Sequence, residues 1–193
     1  MSILKIAQMG EPVLRRPTEE IPLDQLGSER IQRLIDDMID TMRDADGAGI
    51  AAPQVYESLR LCVIEVRENR RYPDFPSIPL LVLVNPVVTP KLAAAGQQLE
   101  NEETIAMYEG CLSVTGVRGQ VRRPRRVHVQ AHDREGRAVR FDWEGIPAAI
   151  VQHETDHLHG TLFIDRADPR TLTFLREYER YVPIAQRIRD RAS

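Results

Sequence analysis

The sequence has few cysteines, little net charge and no long hydrophobic run, and each shortage excludes a class of protein. Only two cysteines occur among its 193 residues, Cys62 and Cys111, which is too few for a disulfide framework. A net charge of -3 gives no general attraction to nucleic acid or to an anionic membrane. The longest apolar run, Leu80 to Val84, falls far short of the roughly 20 residues that span a bilayer.

The N-terminus carries no apolar run of the kind found in a signal peptide, and no transit peptide is visible. With the scarcity of cysteine, this pattern predicts a cytoplasmic protein, bacterial rather than organellar. We therefore expect no membrane partner and no specific nucleic-acid sequence as a partner.

What is present is the composition of one globular domain. Hydrophobic residues make up 42% and charged residues 28%, both ordinary values. The length suits one hydrophobic core, and no repeat, low-complexity tract or linker interrupts it. We predict a single catalytic domain over residues 1–193.

Periodicity in the first two thirds of the chain predicts one long helix and four strands. Residues 29–44 place six apolar side chains at helical spacing, with Ser28 available as N-cap. Four segments are predicted as strands, the last two as a hairpin: 59–66, 80–88, 126–133 and 137–143. Residues 90–103 are irregular, and their sequence favours neither a loop nor a hairpin edge.

Two further helices are predicted towards the C-terminus. Residues 145–160 contain Pro147 in the first helical turn and Gly160 just beyond the end, both favoured places. Asp168 would cap a last helix over about 169–190. Three of its side chains would face the body of the protein, namely Leu172, Leu175 and Tyr178. The predicted class is α+β, with antiparallel β-strands packed around the central helix and a C-terminal helix.

The central helix carries the sequence HETDH at 153–157, an HExxH pattern. Because positions four apart share a helix face, His153 and His157 can both reach one metal ion. Glu154 is offset by one residue and can reach a water on that metal, where it could accept a proton. Taken alone, the pattern is equally compatible with a polar helix face whose histidines contact solvent.

A catalytic metal site needs a third protein ligand and an open position. Downstream carboxylates keep a zincin-type site open: Asp165, Asp168, Glu177 and Glu179. Upstream, Cys111 offers a thiolate, and a Cys-His-His set suits Zn²⁺, Fe²⁺, Ni²⁺ or Co²⁺. Cys62 lies in an apolar segment and is predicted to be a small buried hydrophobe. His159 is predicted to be exposed.

Three short motifs occur in a fixed order: GAGIAAPQ at 47–54, EGCLS at 109–113 and QHETDHLHG at 152–160. In these motifs the sequence resembles the peptide deformylases, which are marked by GxGxAAxQ, EGCLS and QHExDHLxG. The resemblance extends from about residue 3 to residue 165. It implies a metal-dependent hydrolase that removes the N-terminal formyl group from the formyl-methionine of newly synthesised proteins and releases formate.

The resemblance also implies a role for each motif residue. One divalent metal ion, Fe²⁺ in the cell with Ni²⁺, Co²⁺ or Zn²⁺ as substitutes, would be bound by Cys111, His153 and His157. Glu154 would be the general acid/base while a metal-activated water attacks the formyl carbon. The side-chain amide of Gln54 and the backbone N–H of Leu112 would donate to the developing oxyanion. Such donors match the chemistry, because formamide hydrolysis passes through a tetrahedral oxyanion.

The substrate site is predicted less specifically. By resemblance, the glycine-containing strand Gly47, Ala48, Gly49, Ile50 would pair with the extended substrate backbone, with Gly110 near it. Ile146, Ala149 and Ile150 share the helix face of His153, which suits a methionine side chain and suits ordinary core packing equally well.

Two basic segments each allow two interpretations. Arg118 and Arg123 could bind the substrate backbone or pair with Glu109, although the stretch 118–126 is predicted mainly as a solvated loop. Residues 165–193 carry seven arginines among many acids. That segment could contact the ribosome transiently, because deformylases act on emerging formyl-Met peptides, or it could be a solvated amphipathic helix.

Three alternatives to a deformylase remain open. A zincin-type endopeptidase would cleave internal peptide bonds and would not need Cys111. A catalytically idle relative would bind formylated chain ends or the ribosome, but would normally have lost Glu154 or Gln54. A structural metal site usually has four protein ligands, and the sequence nominates three.

Overall fold

The computed structural model describes residues 2–67, 76–91 and 103–182. Its α-helices are α1 (Leu23–Leu26), α2 (Glu29–Asp44), α3 (Ile146–Leu158) and α4 (Leu175–Tyr181). Its strands are β1 (Gly49–Ala51), β2 (Leu61–Val66), β3 (Ile78–Pro90), β4 (Thr104–Cys111), β5 (Val114–Pro124), β6 (Arg126–His132), β7 (Ala138–Glu144) and β8 (Thr173–Phe174). Short 3-10 turns span Pro12–Arg15, Ala52–Val55, Phe163–Asp165 and Pro169–Thr171. Within these ranges, every helix is too short or too polar to span a bilayer.

Two antiparallel sheets enclose α3. The larger has the strand order β1-β2-β3-β6-β7, and the smaller has the order β4-β5-β8. Helix α2 covers one face of the larger sheet, and α3 covers the other. Strand β2 is apolar on both faces for this reason, since Leu61 and Val63 pack towards α2 while Cys62 and Ile64 pack towards α3. The predicted α+β class is confirmed, and Cys62 is buried as predicted.

The predicted helix at 29–44 is confirmed to the residue. All six of its apolar positions are buried, namely Ile31, Leu34, Ile35, Met38, Ile39 and Met42. Ser28 occupies the N-cap position, although its side chain makes no capping hydrogen bond. The predicted strands at 59–66 and 80–88 and the hairpin at 126–143 are also present, as β2, β3 and β6–β7.

Helix α3 is buried on almost all sides. It begins after Gly145, has Pro147 in its first turn and is followed by Gly160 at φ 73°, in agreement with the sequence pattern. Five of its buried residues are polar: Gln152, Glu154, Thr155, Asp156 and His157. Buried polar groups need partners, so this helix marks where the chemistry of the protein is located.

The prediction for the C-terminal helix is wrong at its start. Asp168 does cap a turn, because its side chain accepts a hydrogen bond from the backbone N–H of Arg170, but that turn is only Pro169–Thr171. The chain then adds β8 to β5 before α4 begins, since strand pairing there replaces a helical turn. Tyr178 is buried as predicted, whereas the side chain of Leu172 is 42% exposed. The predicted helical residues after 182 lie outside the described residues.

The smaller sheet was not predicted. Strands β4 and β5 form a long hairpin that pairs Thr104 with Pro124 and Cys111 with Val114. The stretch 118–126, predicted mainly as a solvated loop, is largely strand, and Arg123 within it is only 3% exposed. Most of the irregular stretch 90–103 lies outside the described residues.

A glycine-to-alanine pair tests how tightly α3 is fixed at its C-terminal end. An added Cβ at Gly160 would lie 2.7 Å from the backbone carbon of Arg15, whereas one at Gly136 would meet only Leu26 at 3.7 Å. Both glycines have positive φ. We expect Gly136→Ala to destabilise by about 1–2 kcal/mol from backbone strain alone. Gly160→Ala should cost roughly 1–3 kcal/mol more because of the added overlap.

Thermal unfolding of the two variants measures the difference. About 2–4 °C of melting temperature corresponds to 1 kcal/mol at this chain length. Equal shifts for the two variants would contradict a tight junction at Gly160.

Candidate metal centre and substrate cleft

Three ligand-type side chains meet where β4 ends against α3. The ligand atoms of Cys111, His153 and His157 all lie within 4.8 Å of one another, and Cys111 Sγ is 3.3 Å from His157 Nε2. The two histidines share one face because they are four residues apart on a helix. The structure therefore brings together the three residues that the motifs nominated, although they come from segments about 40 residues apart in sequence.

His153 is oriented by a carboxylate. Its Nδ1 lies 2.9 Å from Oε2 of Glu109, so that Nδ1–H donates and Nε2 is left for a metal. The ring of Phe163 stacks on the imidazole at a centroid distance of 6.2 Å. Burial lowers the pKa of His153, but hydrogen bonds to Cys111 and Glu109 outweigh it and hold the pKa well above its usual value. A proton therefore competes with a metal ion for this ring.

Glu109 is ionised by a buried arginine. Nε and one terminal nitrogen of Arg123 contact the two Glu109 oxygens at 2.5 and 2.9 Å, and the remaining nitrogen contacts Asp156 at 2.8 Å. Burial alone would raise the Glu109 pKa, yet the charge of Arg123 outweighs it and lowers the pKa to about 2. Of the two partners considered for Arg123, the structure gives Glu109. The residues around Arg123 in the sequence do not predict that its side chain is buried.

Glu154 has the environment of a proton carrier. Its side chain packs against the bare backbone of Gly49, where an added Cβ would lie 2.5 Å from Oε1. Among the described residues, its buried Oε2 has no hydrogen-bond partner. Burial raises the Glu154 pKa to about 7, and a cation in the adjacent cluster would lower it again. An unpaired buried carboxylate oxygen beside three ligand groups indicates that a metal ion with its water fits here.

The amide of Gln54 faces the cluster in a defined orientation. Its Oε1 accepts a hydrogen bond from the backbone N–H of Ala51 at 2.8 Å, so the NH₂ group points the other way. That group donates to Ser113 Oγ at 3.2 Å and approaches Cys111 Sγ at 3.5 Å. Leu112, which follows Cys111, lines the same cleft.

An open cleft of about 1170 Å³ runs past the cluster, between the edge strands β1 and β4. Seven of the predicted substrate residues line it: Gly47, Ala48, Gly49, Gly110, Arg118, Ala149 and Ile150. Ile50 and Ile146 are not among the lining residues, and both side chains are buried. Ile50 alternates with Gly49 and points towards α2, and Ile146 lies two turns before His153.

Sequence reasoning missed the outer walls of the cleft. One wall carries Arg43 and Glu65, paired through two hydrogen bonds of 2.7 and 2.9 Å, with Arg67 also on Glu65. The opposite wall includes Leu175 and Tyr178 of α4. Helix α4 reaches the cleft because β8 pairs with β5 and because Tyr178 packs on Tyr108 of β4, and no local pattern predicted either contact.

Removing Arg123 tests the buried ion network. Arg123→Met keeps a similar volume but leaves the charges of Glu109 and Asp156 partly unpaired in the core, which we expect to cost about 3–5 kcal/mol. The matched control is Arg126→Met, three residues along, whose ion pair with Glu144 is more than half exposed on both sides and should contribute less than about 1 kcal/mol. The free energy of unfolding in urea checks both values. Similar small losses would show that the network adds little to stability.

Comparisons with known proteins cover nearly all of these residues. The sequence profile of the polypeptide deformylase family matches residues 3–172. Peptide deformylase 1 of Prochlorococcus marinus is 42% identical over 181 residues, covering 93% of this chain and 88% of that protein. The chloroplastic peptide deformylase 1A of Solanum lycopersicum is 41% identical over 175 residues, covering 86% of this chain, which spans 60% of the tomato protein.

Solved structures agree with the sequence matches. A class I type b peptide deformylase from Acinetobacter baumannii, in a crystal structure bound to Met-Ala-Ser, is 39% identical, with a TM-score of 0.76. The match covers 86% of this chain and 98% of that one. The deformylase from Thermotoga maritima is 31% identical with a TM-score of 0.71, over 88% and 100% of the two chains. The chain that carries this Cys-His-His cluster therefore belongs to the polypeptide deformylase family.

Proposed function

We propose that this protein is a metal-dependent hydrolase that removes the formyl group from the N-terminal formyl-methionine of newly synthesised proteins and releases formate. The observation that carries the proposal is the position of Glu154 beside the Cys111, His153 and His157 cluster in an open cleft, with its Oε2 unpaired among the described residues. Family membership supports the same reaction. So does the related structure bound to Met-Ala-Ser, because that peptide is what remains when formyl-Met-Ala-Ser loses its formyl group.

The donor set supports one divalent metal ion. One thiolate and two imidazoles fit Fe²⁺, Ni²⁺, Co²⁺ or Zn²⁺, and three protein ligands leave a position open. We assign Fe²⁺ as the metal in the cell, with the other three able to substitute. When bound, the ion supplies Lewis acidity to the formyl oxygen and to a water molecule. Cys111 serves as a ligand and does not attack the carbonyl.

The residues of the chain then move the protons and hold the charge. Glu154 accepts a proton from the attacking water as its oxygen bonds to the formyl carbon. The N–H groups of Gln54 and of the Leu112 backbone donate to the oxyanion that develops. Glu154 finally delivers its proton to the leaving amine as the carbon–nitrogen bond breaks, which gives formate and a free N-terminus.

The cleft suits an extended N-terminal peptide. Its backbone would pair with residues Gly47 to Ile50, which comprise the start of β1 and the two residues before it, a mode in which an edge strand supplies main-chain hydrogen bonds. Ile50 would contribute only its backbone, and Gly110 would lie across the cleft. Ala149 and Ile150 would contact the methionine side chain, while Arg118 beside Gly110 would contact the following residues.

Emerging formyl-Met peptides are the partner that this function requires. We propose that the C-terminal segment contacts the ribosome transiently, which would bring the cleft close to these peptides. The relatives include bacterial and chloroplastic proteins. We propose a bacterial cytoplasm as the location, although these relatives fit an organelle equally well.

Formate release from formyl-Met-Ala-Ser tests the function directly. Protein prepared without oxygen and loaded with Fe²⁺ or Ni²⁺ should release formate, and Glu154→Gln should slow release by roughly 10²–10⁴-fold, because it removes the proton carrier. Cys111→Ala should lose both metal and activity. Cys62→Ala, the other cysteine of the chain, should keep both because Cys62 is a packing residue.

The outcome separates the alternatives. No formate from folded, metal-loaded protein would leave a catalytically idle binder of formylated chain ends. Cleavage of an internal peptide bond that persists in Cys111→Ala would favour a zincin-type endopeptidase. Asp165, a candidate third ligand for that alternative, instead accepts hydrogen bonds from Arg15 and the Leu162 backbone.

A separate variant tests the oxyanion role of Gln54. Gln54→Met keeps the length of the side chain and removes its N–H donors, so kcat should fall about 10²–10³-fold. KM should change little, because the donor acts on charge that develops only in the transition state. The control is Gln32→Met, which removes an amide that bonds Leu26 and Arg134 carbonyls far from the cluster. A Gln54 variant with unchanged kcat would exclude the assigned role.

A further inference from the structure

Arg166 extends the buried ion network to the protein surface. Its side chain is 49% exposed, at the end of the turn Phe163–Asp165. Its Nε and one terminal nitrogen each lie 2.7 Å from a different oxygen of Asp156. Two parallel charge-assisted hydrogen bonds fix the angle between two planar groups as well as their distance.

Each following link of the network is fixed in the same way. Asp156 is 11% exposed and shares its Oδ2 between Arg166 and Arg123. Arg123 makes a second fork to Glu109, and Glu109 accepts from the Nδ1–H of His153. A surface guanidinium is thus connected to a nominated metal ligand through three side chains, with every contact at 3.0 Å or less.

The balance of charges in the network links Arg166 to the orientation of His153. The network holds two carboxylates, Glu109 and Asp156, and two guanidiniums, Arg123 and Arg166. Without Arg166, one buried guanidinium would face two carboxylates, and a fork can satisfy only one of them fully. Asp156 would then compete with Glu109 for Arg123, and the acceptor that orients His153 would be less firmly held.

The segment around Arg166 also contacts His153 directly. Phe163 stacks on the imidazole with an interplanar angle of 23°. The same short turn is anchored by Asp165, which bonds the Leu162 N–H and pairs with Arg15. This segment therefore contacts His153 in two ways. Phe163 packs on the face of the imidazole, and Arg166 is linked to its Nδ1 through Asp156, Arg123 and Glu109.

We propose that Arg166 is a positioning residue for the metal centre, acting through Asp156, Arg123 and Glu109 to hold His153 in the orientation that binds metal. The inference rests on the proposed function only for the presence of a metal ion, and not for the substrate. Within the part of the chain that the structure describes, the Arg166 side chain contacts Asp156 and does not line the cleft. The proposed route is therefore the ion pairs, and the alternative route is the turn that carries Phe163.

The test compares the removal of two arginine–carboxylate forks. Arg166→Gln removes the fork to Asp156, and the control Arg126→Gln removes the surface fork to Glu144, which is not part of the network. Co²⁺ affinity is measured by competition with a chelator, and the visible absorption of the Co²⁺ protein reports ligand geometry. Loss of a direct partner of a metal ligand typically weakens binding 10–100-fold, so we expect about tenfold for Arg166→Gln with an altered spectrum. Arg126→Gln should match the parent protein in both affinity and spectrum.

A double-mutant cycle locates the pathway. If Arg166 acts through Asp156, then adding Arg166→Gln to the Asp156→Asn variant should change the Co²⁺ dissociation constant little. Steady-state assays should show a lower kcat and an unchanged KM for Arg166→Gln. Should that variant fail to fold, Arg166→Lys keeps the charge without the fork, and should show the same shift at smaller size.

Two results would overturn the inference. One is a Co²⁺ affinity and spectrum of Arg166→Gln that equal those of Arg126→Gln and of the parent protein. The other is full additivity with Asp156→Asn. A protein that shows the predicted Co²⁺ behaviour but releases no formate would contradict the proposed function and leave the role of Arg166 intact.

Discussion

The pairing of Glu109 with Arg123 is the interaction on which the site depends. Helix α3 lies between the two sheets and takes five polar residues into the core with it. Unpaired buried carboxylates are among the most destabilising groups in a protein. Arg123 neutralises Glu109 and Asp156 together, and only then can Glu109 orient His153 while α3 stays enclosed by two sheets.

The cleft exists because the two sheets around α3 each have an unpaired edge strand on the same side. Strands β1 and β4 are the edges that face each other, and exposed edges present unpaired main-chain groups. Under the proposed function, this exposure would let an extended peptide pair with them beside the Cys111, His153 and His157 cluster. Gly49 completes the arrangement, since any side chain there would displace the carboxylate of Glu154.

Local patterns predicted the elements whose partners are close in sequence. The apolar period identified α2, the turn residues bounded α3 and the β6–β7 hairpin, and the spacing in HETDH put His153 and His157 on one face. The strand β5 escaped prediction because its arginines and glycines mask any alternation. Arg123 is buried only because carboxylates from β4 and α3 meet it there, and such long-range partners leave no trace in a short window. The outer cleft walls were missed for the same reason, since α4 is placed beside the cleft by the pairing of β8 with β5 and by the contact of Tyr178 with Tyr108.

The same long-range geometry links stability to metal binding. Cys111 and His153 belong to separate units, the β4–β5 hairpin and α3, so the cluster exists only when these two are docked. A metal ion that bridges them stabilises the docked form by its binding free energy, because the unfolded chain offers no preformed site. The ion pairs of Arg123 cross the same junction, from α3 to β4. The ion pairs of Arg123 and a bound cation would therefore stabilise the same junction, and weakening either should weaken the other.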